Sequence, residues 1–236
     1  MVSTSRWPKI GPVSIDDTYR LVSGSRAREL DQGLEDLGIS SQDMATLLRL
    51  WAVTDARLQA QYETHRAGID RTSLVFGTQL SRLVNQTFAN PGRGTRFGVP
   101  GRAGVWYCAR ELDTAVAEVA HHRIAYLAEI DRPDEEDIVC RLVLADVHGE
   151  RFADLRDRHR QSTMCLDPSS YRASQAFAER LWADHGEGVV YPSVRRRRGV
   201  CFAVLRSPVL SRLRRANSYR LVIQDYRLAE VEDLGA

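Results

Sequence analysis

Arg96, Tyr107 and Glu118 lie eleven residues apart in the stretch RFGVPGRAGVWYCARELDTAVAEVAHH, whose other residues read largely as loop and core. A Gly/Pro loop carrying Arg96 and Arg102 leads into the apolar Val105-Trp106-Tyr107-Cys108, and a helix start at Asp113-Thr114 follows. Arginine is the side chain that forks onto phosphate or carboxylate oxygens. On the helix, Ala115, Val116, Val119, Ala120 and Ile124 can share an inward face, with Glu118 near its edge. A carboxylate there is either a rim residue or an acid held in a cleft, and periodicity alone puts it at the surface. Farther on, Ser193 follows Pro192 at a strand end, which holds a hydroxyl stiffly and suits a structural hydrogen bond.

Other patterns carry less chemistry. Gly92-Arg-Gly94 and Gly98-Val-Pro-Gly101 lack the spacing of a Walker loop or a dinucleotide fingerprint. They read as turn formers and disfavour a kinase or Rossmann enzyme. Arg195-Arg-Arg-Arg198 could grip phosphate or nucleic acid, yet it falls between two strands and reads as a solvated hairpin loop. His121 and His122 are adjacent, not at the i, i+4 spacing that sets two imidazoles on one helix face, so no metal is expected there or elsewhere. Cys108, Cys140, Cys165 and Cys201 are scattered without a Cys-x-x-Cys pair. That argues against zinc or a disulfide framework, and for buried thiols in a reducing cytoplasm.

Composition narrows the class further. A chain of 236 residues, 43% hydrophobic and 27% charged, can bury a full core as one large domain. The net charge of +2 is too small to draw nucleic acid by bulk attraction, so no direct nucleic-acid partner is expected. Lys9 is the only lysine, so nearly all the positive charge is arginine. No stretch approaches the roughly 18 apolar residues of a membrane span. The segment Met1 to Lys9 lacks the apolar core of a signal peptide, which makes a cytoplasmic protein without a membrane partner the expectation.

The elements that must position these residues follow from periodicity. Residues 18–23 alternate as a short strand. Residues 28–90 read as a helical insertion, with a capping box at Ser40-Ser-Gln-Asp43 and Met44, Leu47, Leu48, Trp51, Leu58 and Tyr62 at mostly helical spacing. A second helix over about 72–88 ends before the turn at Asn90-Pro-Gly-Arg-Gly94. Then come a strand at 105–109, a helix at 113–129 and a strand at 137–147 closed by His148-Gly149. A helix at 170–185 stops at Gly186, a strand at 188–193 bends at Pro192, and strands at 200–206 and 219–229 complete the chain. The pattern predicts a single α+β domain, its core at about 17–27 and 91–229, interrupted by the 28–90 insertion.

In order along the chain stand Tyr19-Arg20, Arg96-Phe97-Gly98-Val99-Pro100-Gly101, Tyr107, Thr114-Ala115 with Glu118, and Tyr191-Pro192-Ser193. This series resembles the RES domain, named for its arginine, glutamate and serine, and the match covers 17–26 and about 93–206. The chain departs from the compact form in the long stretch before Arg96 and in Gly98, where asparagine is common. The resemblance implies a fold similar to the diphtheria-toxin-like ADP-ribosyltransferases. It implies the toxin of a toxin–antitoxin pair, with an Xre-type helix-turn-helix antitoxin and an oligomeric complex. The implied substrate is NAD, cleaved at the nicotinamide–ribose bond by phosphorolysis or hydrolysis, or used to transfer ADP-ribose to a protein target. In that reading Glu118 stabilises the oxocarbenium-like centre, Arg20 and Arg96 fork onto the pyrophosphate, and Tyr107, with Tyr19 as a weaker candidate, forms a flat wall. Ser193 holds the nicotinamide ribose or amide, or positions the acceptor. A non-enzymatic module that recognises an acidic partner through its arginine loop is the reading from another class, and it makes Glu118 dispensable.

Overall fold

A computed structural model describes residues 7–23, 74–76, 80–89, 94–99, 102–157 and 159–235. The expected helix around Met44 to Tyr62, and most of the 28–90 stretch, lie outside the described residues. The elements are β1 (Lys9–Ser23), α1 (Ser81–Ala89), β2 (Trp106–Ala109), α2 (Leu112–Glu129), β3 (Glu135–Asp154) and α3 (Arg160–Cys165). They continue with α4 (Arg172–Ala183), β4 (Gly188–Pro192), β5 (Val200–Val204), β6 (Leu210–Gln224) and β7 (Arg227–Gly235). The architecture is mixed α+β. No helix among the described residues is long and apolar enough to cross a membrane.

The sheet order is β1-β2-β5-β4-β3-β6-β7, and β1 also pairs with β3. Those pairings close β1, β2, β5, β4 and β3 into a ring, while β6 and β7 extend from β3 as a hairpin. Among the described strands only β3 and β4 run parallel. Side chains alternate across the strands. Trp106, Cys108, Val190, Phe202 and Val204 therefore share one core with Val143, Val147 and Phe152 of β3. Their neighbours Val189, Tyr191, Cys201 and Ala203 face the other way, onto α3 and α4. Helix α2 packs Ala115, Val116 and Ala120 against Leu21, Ala109, Leu142 and Leu221, a third cluster beside the first two. The site is built where these outer faces meet α2.

Several elements run beyond their expected bounds. β1 starts at Lys9, because Pro12 sits where its register with β3 shifts, a place that tolerates a missing N–H. β3 runs through His148-Gly149 to Asp154 instead of stopping there. Gly149 lies at that register shift, where an added Cβ would press on Phe152 and on the Glu187 carboxylate. That carboxylate accepts the Glu150 and Arg151 amides at 2.6 and 2.8 Å. The strand expected at 219–229 is two strands joined by a tight turn, with Asp225 and Tyr226 both left-handed at φ of 48° and 56°. Asp225-Tyr226 is not the Asn-Gly that marks such turns. Pro133 and Asp134 hold it, the Pro133 carbonyl accepting from Tyr226 N–H at 3.0 Å and the Asp134 carboxylate from Asp225 N–H at 2.9 Å.

Helix α1, at the end of the stretch read as an insertion, is part of the main core. Leu83, Val84 and Phe88 are buried together with Trp106, Phe202 and Val204. Asn85 seals the approach to it, exchanging two hydrogen bonds with the backbone of Val75 at 2.8 and 2.9 Å. Phe88→Ala should therefore cost about 3–5 kcal/mol in urea unfolding. A loss below about 1 kcal/mol, the scale of a surface change, would make α1 an appendage.

Candidate active site

A cavity of about 450 Å³ opens between β1, β2, α2 and the segment around Thr95. Tyr19, Arg20, Arg96, Tyr107 and Glu118 all line it, although they are spread over a hundred residues of sequence. Ser193 stands behind Glu118 and reaches the cavity through it. Its hydroxyl oxygen lies 2.6 Å from Glu118 Oε1. The backbone N–H groups of Arg195 and Arg196 donate to that same oxygen at 3.1 and 3.0 Å. With two N–H donors already on the oxygen, the single hydroxyl proton points to the carboxylate. Glu118 is thereby held from behind by one oxygen, and Cys201 Sγ adds a contact to it at 3.6 Å.

Tyr107 alternates with Trp106 and Cys108, so its ring turns to the outer face and its hydroxyl latches the arginine loop. Phe97 N–H donates to it at 2.9 Å, and Thr95 Oγ1 lies 2.7 Å away. Burial pushes the Tyr107 phenol up to about 12, with the hydrogen bonds of Thr95 and Phe97 and the charge of Arg96 acting in the opposite direction. Arg20 Nη1 donates to the Tyr107 carbonyl oxygen at 2.9 Å, and its guanidinium lies 4.3 Å from the centre of the Trp106 ring. Arg96 is buried, and its Nη1 donates to the carbonyl oxygens of Cys165 and Asp167 at 2.9 and 2.8 Å. The guanidinium sits 4.8 Å from the centre of the Tyr171 ring. Arg96 Nη1 thus ties the segment before β2 to the end of α3 and the loop before α4. Its Nη2 is buried without a hydrogen-bond partner among the described residues.

The cavity also holds residues that the sequence patterns passed over. His122 lines it one helical turn beyond Glu118, and that i, i+4 spacing was the available signal. Burial chiefly lowers the His122 pKa, Glu118 raises it and Arg195 lowers it further. Arg195 also lines the cavity, so the first arginine of the 195–198 run belongs to the site and not to a solvated loop. Arg196 is anchored on Asp113 at 3.0 Å and on Thr114 at 3.3 Å, while Arg197 and Arg198 are exposed. Tyr171 and Cys201 complete the walls, and neither carried a local pattern. Elsewhere, Asp16, Asp146 and His148 lie close enough to share a cation. The buried Asp146 carboxylate there is already met by Arg212 at 3.2 Å and Arg214 at 3.7 Å, so positive charge is supplied by the chain itself.

Fold and site together define a mixed α+β domain in which one tethered carboxylate faces an arginine-lined cavity. The chain belongs to the RES domain family, whose model matches residues 75–225, a span that holds Arg96, Tyr107, Glu118 and Ser193 and begins after Arg20. Among solved structures, it is similar to a chain of the crystal structure of the M. tuberculosis MbcT–MbcA toxin–antitoxin complex. The identity is 15%, the alignment covers 89% of this chain and 87% of that one, and the TM-score is 0.46. Curated protein sequences give no match.

Tyr107 and Cys108 at the cavity, with Cys140 in the neighbouring core, set a pH dependence. Burial lifts Tyr107 from 10.0 to about 12, and lifts the Cys108 and Cys140 thiols from 9.0 to about 11. The folded chain therefore keeps protons that the unfolded chain releases. The stability tied to these groups is complete below pH 9 and is lost as pH rises through 11 and 12. Denaturation midpoints should fall across that window, and Tyr107→Phe should remove about 2–3 kcal/mol of the loss above pH 10. A variant with the same slope as the wild type would contradict the assignment to Tyr107.

Proposed function

We propose that this chain is the toxin of a toxin–antitoxin pair and that it consumes NAD by cleaving the nicotinamide–ribose bond. Membership of the RES family supports the toxin role and an enzyme acting on NAD. The observation that carries the chemistry is the hydrogen bond from Ser193 to Glu118, which fixes a carboxylate in a cavity with three arginines. Kinship of the fold with diphtheria-toxin-like ADP-ribosyltransferases, a cytoplasmic location and an Xre-type antitoxin belong to the same reading.

In this reading the bond from ribose C1′ to the nicotinamide nitrogen breaks, and its electron pair leaves with nicotinamide. Positive charge then develops on the ribose, as in glycoside cleavage. Glu118 stands ready to stabilise it, because Ser193 occupies Oε1 and leaves Oε2 for the sugar. The carboxylate is oriented before the reaction, which is where such a group is most effective. Tyr107 and Tyr19 offer aromatic faces to the nicotinamide side, and Arg20 and Arg96 bring positive charge to the pyrophosphate. The acceptor in this reading is phosphate or water, with a protein side chain as the alternative. His122, on the same helix face as Glu118, is placed to receive the acceptor's proton.

Glu118→Gln keeps the side-chain shape and removes the charge. Nicotinamide release should fall by roughly 10²–10³ while NAD affinity changes little. Induction of the wild-type chain alone should deplete cellular NAD and arrest growth, and the variant should do neither. Full nicotinamide release by folded Glu118→Gln would remove Glu118 from the chemistry. Unchanged NAD on induction of the folded wild type would remove the enzymatic reading and favour a binding module.

A further inference from the structure

A phosphate group needs guanidinium donors that are not already engaged. Three arginines line the cavity: Arg20, Arg96 and Arg195. Arg20 is turned back onto the Tyr107 carbonyl and the Trp106 ring. Arg96 has its Nη1 divided between two backbone carbonyls and its face on Tyr171, so only its remaining edge is left for an anion. Arg195 differs from both. Its backbone N–H is fixed on Ser193 Oγ at 3.1 Å, while its half-buried guanidinium makes no hydrogen bond or ion pair among the described residues. The turn that orients Glu118 thus also delivers a whole guanidinium to the cavity wall.

A second observation points to the same place. Arg96 Nη2 belongs to a side chain only 6% exposed and is left without an acceptor among the described residues, so a buried cation with unused hydrogen-bonding capacity lies at the cavity wall. Arg96 and Arg195 line the same cavity as Glu118 and His122 of α2. The rest of the arginine run has other duties, with Arg196 on Asp113 and Arg197 in solvent.

We propose that Arg195 is the principal anion anchor of the cavity and that a phosphate group is held by the Arg195 fork, with Arg96 as the buried cation of the same cavity. Arg20 and Arg96 are already tied to backbone carbonyls and play a supporting part in this arrangement. The identity of the natural ligand rests on the NAD reading, under which the phosphate is either the dinucleotide's pyrophosphate or the inorganic phosphate that accepts the ribosyl group. The site itself can be tested without that reading.

The experiment is calorimetric titration of the purified chain with inorganic pyrophosphate at low salt. It compares the wild type with Arg195→Gln and with Arg197→Gln, which loses the same charge outside the cavity. Arg195→Gln should weaken pyrophosphate binding about 10- to 100-fold, the range of one charge-assisted contact, and Arg197→Gln less than about twofold. Equal losses in the two variants, or no pyrophosphate binding by the wild type, would overturn the proposal. Unfolding midpoints close to the wild type establish that both variants fold, and Arg195→Lys should restore only part of the affinity if the fork matters. In the enzyme assay, a raised KM for NAD at nearly constant kcat assigns the anchor to the pyrophosphate. A raised KM for phosphate alone assigns it to the acceptor, and no change in either overturns the role. A wild type that binds pyrophosphate through Arg195 yet leaves NAD intact would sink the NAD reading and keep the anion site.

Discussion

The hydroxyl of Ser193 takes two backbone N–H groups from the turn that follows it and gives its own proton to Glu118. That one contact, 2.6 Å long, joins the β4–β5 turn to the middle of α2. Its effect is to make the position of a carboxylate depend on the sheet and not on the helix alone. Without it, Glu118 would be one more acid at the edge of an amphipathic helix, free to turn into solvent. With it, Oε1 is held, while Oε2 takes no hydrogen bond among the described residues. The same turn carries Arg195 to the cavity wall, so the acid and a cation are placed by a single piece of backbone.

The opposite wall is set by a similar economy. β2 is four residues long, and its alternation sends Trp106 and Cys108 into the core while Tyr107 faces out. The Tyr107 hydroxyl then fastens the Thr95–Phe97 segment, and its carbonyl holds Arg20. Arg96 continues inward from that segment to the carbonyls of Cys165 and Asp167. Three parts of the chain distant in sequence are in this way pinned around one cavity by polar contacts whose buried members would be costly to leave unpaired.

Much of this was legible in the sequence. Alternation in 105–109 and 188–193, and helical periodicity in 113–129, placed Tyr107, Ser193 and Glu118 on their elements because each run is short, apolar and bounded by clear signals. The ordered series from Tyr19-Arg20 to Tyr191-Pro192-Ser193 added the family. What escaped depended on long-range pairing. β1 and β3 ran past Pro12 and Gly149 because a register shift absorbs residues that locally read as breakers. The β6–β7 turn was hidden because Pro133 and Asp134, some ninety residues earlier, hold Asp225 and Tyr226 in place. Arg195 read as solvated because only the folded turn shows which arginine of four faces inward, and Tyr171 had no pattern at all.

The central claim is that Ser193 acts through Glu118 on the bond to nicotinamide, so a double-mutant cycle on nicotinamide release is the most direct measurement. Ser193→Ala, Glu118→Gln and the double variant would be compared with the wild type at saturating NAD. The account requires that Ser193→Ala lower kcat about tenfold in the wild-type background and have almost no effect once Glu118 is glutamine, since the hydroxyl then has no carboxylate to orient. If Ser193→Ala lowered kcat by the same factor in both backgrounds, the two residues would act independently, and the account of the site would be wrong.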